Sequence, residues 1–141
     1  MIEEFHKLSP YSLPKREKEH LLLKELNVLT EMHREKCVEY ANFLTAIGYA
    51  QHEAKKLEEL PFLPIRIFKE LELKSIPDAD VFKVMMSSGT SGQRQSKIFL
   101  NKDNAILQQK VMLRLLGDFI GPKRLPMLVI DSRKIISDRH L

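Results

Sequence analysis

A single cysteine, Cys37, stands in a chain of 141 residues. That excludes an internal disulfide and a zinc site built from cysteines, and both exclusions point to a reducing compartment. No stretch approaches the ~20 consecutive apolar residues that a membrane-spanning helix requires. Glu3 and Glu4 stand near the N-terminus with no apolar run behind them, which is not the pattern of a secretory signal. The expectation is a cytoplasmic protein with no membrane span. The histidines, His6, His20, His33, His52 and His140, make no His-Glu-x-x-His pattern and no pair at a metal-ligand spacing, so no metal site is expected from them. Internal repeats and low-complexity segments are also missing.

A dense basic patch is lacking too. The formal charge is +4, but the cations alternate with carboxylates, as in Lys15-Arg16-Glu17-Lys18-Glu19. Nucleic-acid binders cluster Lys and Arg on one face, whereas alternation reads as a solvated helix face. Nucleic acid is therefore not an expected partner. With 43% hydrophobic and 30% charged residues, the chain has the composition of one globular core rather than of a disordered segment.

What is present divides into a helical front and a mixed back. Residues 12–48 read as helix. Ser12 precedes Pro14, and a proline in the first turn suits a helix start. Leu21, Leu22, Leu23, Leu26 and Leu29 give a wide apolar face. Thr30, followed by Glu31, has the chemistry of a cap for a second helix, on which Cys37, Ala41, Leu44 and Ile47 fall at helical spacing. One bent helix and two helices both fit the pattern. Gly48 is placed to end it. Residues 49–60 read as a polar connection, and residues 1–60 as a mostly helical region.

Residues 61–141 read as part of an α/β nucleotide-loop domain. The prolines of Pro61-Phe62-Leu63-Pro64 forbid a regular helix interior, leaving an extended segment or a turn into a short helix at Phe68–Leu71. Pro77-Asp78-Ala79-Asp80 marks a turn. Val81–Met86 predicts a strand, Ile98–Leu100 a second one antiparallel to it, and Asp103 a cap for a helix reaching Leu116 or Phe119. Apolar residues on most sides of that helix predict that it is largely buried. Pro126–Asp131 reads as a strand covered on both faces. Strand, loop, strand, helix, strand is the order of an α/β fold.

The chemistry lies between the first two strands, in Ser87-Ser88-Gly89-Thr90-Ser91-Gly92. Two glycines separated by two hydroxyl residues let the backbone turn tightly and approach a ligand closely. Successive N–H groups in such a turn form a concave anion site. Four hydroxyls add donors, and Lys97 adds a positive charge just beyond. The spacing is not that of a Walker A loop, since Arg94 stands where its second glycine would be, and no G-x-G-x-x-G is present. By composition alone, a polyphosphate loop and a flexible polar hairpin loop remain equally open.

The literal string closely resembles the phosphate-binding signature of the adenylate-forming ligases, Ser/Thr-Ser-Gly-Thr-Thr-Gly-x-Pro-Lys. The flanks resemble the LuxE-type acyl-protein synthetases: Leu63-Pro64-Ile65-Arg66-Ile67-Phe68-Lys69 and Val81-Phe82-Lys83-Val84 before the loop, then Gly92-Gln93 leading to Ser96-Lys97, Phe119-Ile120-Gly121 and Leu125–Asp131 after it. The resemblance runs from about residue 30 to residue 131. It implies that Ser87, Ser88, Gly89, Thr90, Ser91, Gly92 and Lys97 hold the phosphates of ATP, with Mg2+ accompanying the nucleotide. It also implies a two-step reaction. A long-chain fatty acid and ATP give an acyl-adenylate and pyrophosphate; the acyl group then passes to a protein cysteine and on to a fatty-acid reductase, which in luminous bacteria supplies the aldehyde for luciferase.

The string departs from the signature in three places. Ser91 replaces the second threonine but keeps the hydroxyl. The proline position falls at Gln95, and Lys97 matches the lysine two residues late. Ligases of this type are also longer, so the expectation is an N-terminal fragment that is inactive by itself. Two further readings stay open. One is a non-catalytic interaction module, which acyl-adenylate formation would exclude. The other is a phenylacetate-type acyl-CoA ligase fragment, which would use coenzyme A as acceptor. Cys37 reads as a buried core thiol before it reads as an acyl acceptor. Asp131, beyond a strand end, fits either a ligand contact or a helix cap.

Overall fold

The computed structural model describes residues 8, 11–50, 53–87, 94–121, 123–126, 128 and 130. The front is two helices, α1 (Lys15–Lys36) and α2 (Val38–Ala46). Pro14 supplies the N-terminal boundary of α1 with extended geometry (φ −56°, ψ 149°). The break falls at Cys37, whose backbone is extended (φ −128°, ψ 107°), and not at Thr30. Thr30 lies inside α1, buried, with its Oγ1 donating to the Leu26 carbonyl at 2.7 Å. A threonine hydroxyl can bond back one turn as readily as it caps, so the residue type does not fix the boundary.

The end of α2 follows the sequence. Gly48 adopts φ +69°, Gly48 N–H donates to Thr45 (3.0 Å) and Tyr49 N–H to Leu44 (2.9 Å). These two bonds form a Schellman motif, which requires a left-handed residue. The kink at Cys37 turns Cys37, Tyr40 and Leu44 into one buried cluster, and Phe43, Tyr49, Leu63 and Leu73 pack around it. Cys37 is 3% exposed and Leu44 2%. The leucine face of α1 is only half-buried, with Leu22 and Leu26 exposed.

The connection after α2 is tied down rather than loose. Asn27 donates from Nδ2 to the Ala54 carbonyl (2.9 Å) and accepts at Oδ1 from the Ala54 N–H (2.8 Å). A short 3-10 turn, Leu57–Glu59, follows. The Pro61–Pro64 segment is extended and enters the four-residue helix α3 (Ile67–Glu70). A second 3-10 turn covers Asp78–Asp80.

Strands β1 (Lys83–Met86) and β2 (Lys97–Leu100) form the sheet. They are antiparallel, with Lys83 opposite Leu100 and Met86 opposite Lys97. β1 starts two residues later than the sequence predicts and β2 one earlier. Phe82 N–H still donates to the Leu100 carbonyl at 2.8 Å, so pairing continues past the first strand end. The fold is therefore mixed α/β, with α3 and the following helix both packed against β2.

That helix, α4 (Lys102–Ile120), is capped by Asn101, whose Oδ1 accepts the Asn104 N–H at 2.9 Å; Asp103 sits in the first turn instead. The helix is not largely buried. Ala105 alone is buried among its described residues, while Leu113 and Phe119 are 70% and 73% exposed. The helix meets β2, yet its apolar composition did not translate into burial over most of its length. Of the strand expected at Pro126–Asp131, Met127, Val129 and Asp131 lie outside the described residues, and Leu128 and Ile130 are exposed and unpaired in any strand. No helix among the described residues is long and apolar enough to cross a membrane.

Candidate phosphate site at the neck of the hairpin

The loop signalled by the sequence connects β1 to β2, at the end of the hairpin where Met86 pairs with Lys97. Ser88, Gly89, Thr90, Ser91 and Gly92 lie outside the described residues; Ser87 and Lys97, at the two ends, do not. The ends are joined beyond the last strand pair. Ser87 N–H donates to the Ser96 carbonyl at 3.1 Å. The Ser96 N–H donates in turn to Ser87 Oγ at 2.9 Å. The Ser87 hydroxyl thus accepts a bond that fixes the neck, and its own proton remains available to a ligand.

Beside this neck lies an open cleft of about 300 Å³ between α3 and the hairpin. Lys69 of α3, Arg94 and Lys97 line it, with Glu70 and Glu72 as the carboxylates. Both carboxylates have cations of their own. Glu70 Oε1 accepts from Arg66 Nε at 2.6 Å. Glu72 Oε1 lies 3.2 Å from Lys74 Nζ, which also binds Asp78 and sits 5.5 Å from the centre of the Phe99 ring. Asp78 and Glu72 together raise the Lys74 pKa above its ordinary value. Lys69, Arg94 and Lys97 have no ion-pair partner among the described residues. A unit anion 4 Å from one such cation gains about 1 kcal/mol in bulk water and about 4 kcal/mol at the effective dielectric of a protein surface. The cleft therefore favours anions.

Phe68 and Lys97 also wall a second cavity, of about 410 Å³, on the other side. Its walls are mainly apolar, including Met32, Leu63, Leu73, Ile76 and Phe99. His33 and Ser75 supply polar atoms, joined Nδ1 to Oγ at 2.7 Å. Burial first, and Lys36 second, lower the His33 pKa. The ring of Tyr40 stands edge-on to the imidazole at 6.2 Å, and burial raises the Tyr40 pKa despite a hydrogen bond with Thr30.

Cys37 borders this cavity, but its thiol is buried and faces Glu39 Oε2 at 3.6 Å. That is the setting of a core thiol, since a reactive one needs access and positive surroundings. Among the described residues no three His, Cys, Asp or Glu side chains gather into a metal site. Magnesium that arrives with nucleotide is bound largely by phosphates and water, so such a cluster is not required for it.

Of the cations lining the cleft, the sequence reading singled out Lys97 and not Lys69 or Arg94. Lys69, closing Phe68-Lys69, reads as an ordinary helix cation until the fold sets it in one cleft with Arg94 and Lys97.

No curated protein and no solved structure matched the chain. The family model described as acyl-protein synthetase, LuxE, matches residues 4–135. That span contains both helices of the front, the hairpin and the cationic cleft, and on this match the chain belongs to the LuxE acyl-protein synthetase family.

Proposed function

We propose that the chain serves the AMP-forming activation of a long-chain fatty acid, with the Ser87–Gly92 loop and Lys97 holding the phosphates of ATP. The observation that carries this reading is a glycine- and hydroxyl-rich sequence whose two ends, Ser87 and Ser96, are bonded to each other beside a cationic cleft, in a member of an acyl-protein synthetase family. In the reaction, a carboxylate oxygen attacks the α-phosphorus, the bond to the bridging oxygen breaks, and pyrophosphate leaves. The acyl-adenylate is then attacked by the thiolate of a protein cysteine, releasing AMP and passing a thioester to a fatty-acid reductase.

The residues described here contribute to the first step by binding and orientation. Backbone N–H groups and cations neutralise the leaving pyrophosphate, which is the charge that grows as the bond breaks. Mg2+, when bound with ATP, would neutralise further phosphate charge. The apolar cavity shares Phe68 and Lys97 with the cationic cleft. An apolar space beside an anion-binding space suits a carboxylate with a long chain, and this adjacency supports a fatty acid as substrate.

The experiment combines ATP binding by calorimetry with ATP–pyrophosphate exchange across a series of straight-chain acids. Acid-dependent exchange establishes the activity. ATP binding without exchange, lost in Gly89→Val, establishes the phosphate site alone. A chain that neither binds ATP nor exchanges it overturns the reading.

A further inference from the structure

We infer that Lys69 and Arg94 are phosphate-binding residues, holding a polyphosphate together with Lys97 from the α3 side of the hairpin. The inference rests on the nucleotide-loop reading above and adds two residues that the loop string does not contain. Lys69 stands on a short helix early in the α/β region and Arg94 on the far limb of the loop, yet both line the cleft that Lys97 lines. Three features make this cleft more than a solvated patch.

The first is placement. Met86 and Gln95, next to the paired Ser87 and Ser96, form part of its wall, so the cleft opens beside the neck of the hairpin. The second is charge. Among the described residues the only carboxylates lining it are Glu70 and Glu72, and Arg66 and Lys74 face them already. The third is restraint on Lys69. It lines the cleft and is half-buried on a helix packed against β2, so its side chain has less freedom than that of a fully exposed lysine. Lysine acts as a point charge, and arginine offers paired donors to two phosphate oxygens. Together they suit a diphosphate better than a monophosphate.

The test is titration of the full chain with inorganic pyrophosphate, with orthophosphate as the weaker comparison. Lys69→Gln and Arg94→Gln should each weaken pyrophosphate binding by roughly three- to tenfold, the scale of one partly exposed charge-assisted contact. Lys69→Arg should retain most of the affinity. Lys24→Gln, which removes an exposed cation elsewhere on α1, should change nothing. Glu70→Gln should strengthen binding by removing a lining carboxylate. A merely structural role for these side chains would instead weaken binding in both Lys69→Gln and Glu70→Gln. Changes in the same direction, equal losses in Lys69→Gln and Lys24→Gln, or no pyrophosphate binding by the wild-type chain each overturn the inference. Wild-type affinity in Lys69→Gln alongside acid-dependent exchange removes this inference and leaves the proposed function standing. Lysine-dependent binding in a chain that never exchanges ATP with any acid does the reverse.

Discussion

Ser87 and Ser96 bond to each other twice, the Ser87 N–H to the Ser96 carbonyl and the Ser96 N–H to Ser87 Oγ, at 3.1 and 2.9 Å. The second of these is made by a side chain, so it can be removed without touching the strand. Ser87→Ala should speed hydrogen exchange at the Ser96 amide and weaken ATP binding. The global cost should stay below about 1 kcal/mol, because water replaces a lost bond at an exposed site. Ser87→Thr should behave as wild type. Equal exchange at Ser96 in the alanine variant would show that the hydroxyl does not hold the neck.

Replacing Gly89 by valine tests the loop itself. A β-branched side chain cannot follow a turn that relies on glycine's freedom, and it would keep phosphate from the backbone. ATP affinity should fall by at least about tenfold, equivalent to about 1.4 kcal/mol. Thermal unfolding should barely move, and unchanged ATP affinity would make the loop a linker.

Asn27 offers a stability test far from that loop. Its amide pairs with both backbone groups of Ala54, a residue only 2% exposed. Asn27→Ala leaves a sheltered N–H and C=O without partners, which should cost roughly 1–3 kcal/mol. Asn27→Asp keeps an acceptor but loses the donor and should fall between. Denaturant midpoints at equal slope read the difference, and a midpoint unmoved in Asn27→Ala would refute the tie.

His33 predicts a pH dependence. Its folded pKa lies below the ordinary value of 6.5 because burial and Lys36 disfavour the imidazolium. Between the folded and unfolded values the unfolded chain binds more protons, so stability falls on acidification. The contribution is complete above about pH 6.5 and is lost as pH falls toward and through the folded pKa. His33→Gln should flatten the stability profile over that window. An identical profile in the variant would assign the dependence elsewhere.

The hairpin and the α2 terminus were legible because local chemistry dictates them. Val84 and Ile98 favour strands, and Gly48 supplies the left-handed residue its cap needs. The Cys37 break was not legible, since neither Pro nor Gly marks it and Thr30 offered a better local signal. The Asn27–Ala54 tie and the Lys69–Arg94 cleft join residues distant in sequence, and no local pattern encodes such meetings. The exposure of α4 escaped for a related reason: apolar residues on most faces state a demand for burial without stating what meets it.

The register that sets Lys83 opposite Leu100 also has a consequence in time. Every strand-to-strand pair of this hairpin lies within one short stretch of chain, so its closure does not wait for the helical front to dock. Hairpins form in about 1–10 μs, and local contacts carry little loop-closure entropy. The two ends of the loop can therefore meet early in folding, whereas Lys69 reaches the cleft only once α3 has packed on β2. The order of assembly sets Arg94 and Lys97, which the hairpin itself carries, ahead of Lys69.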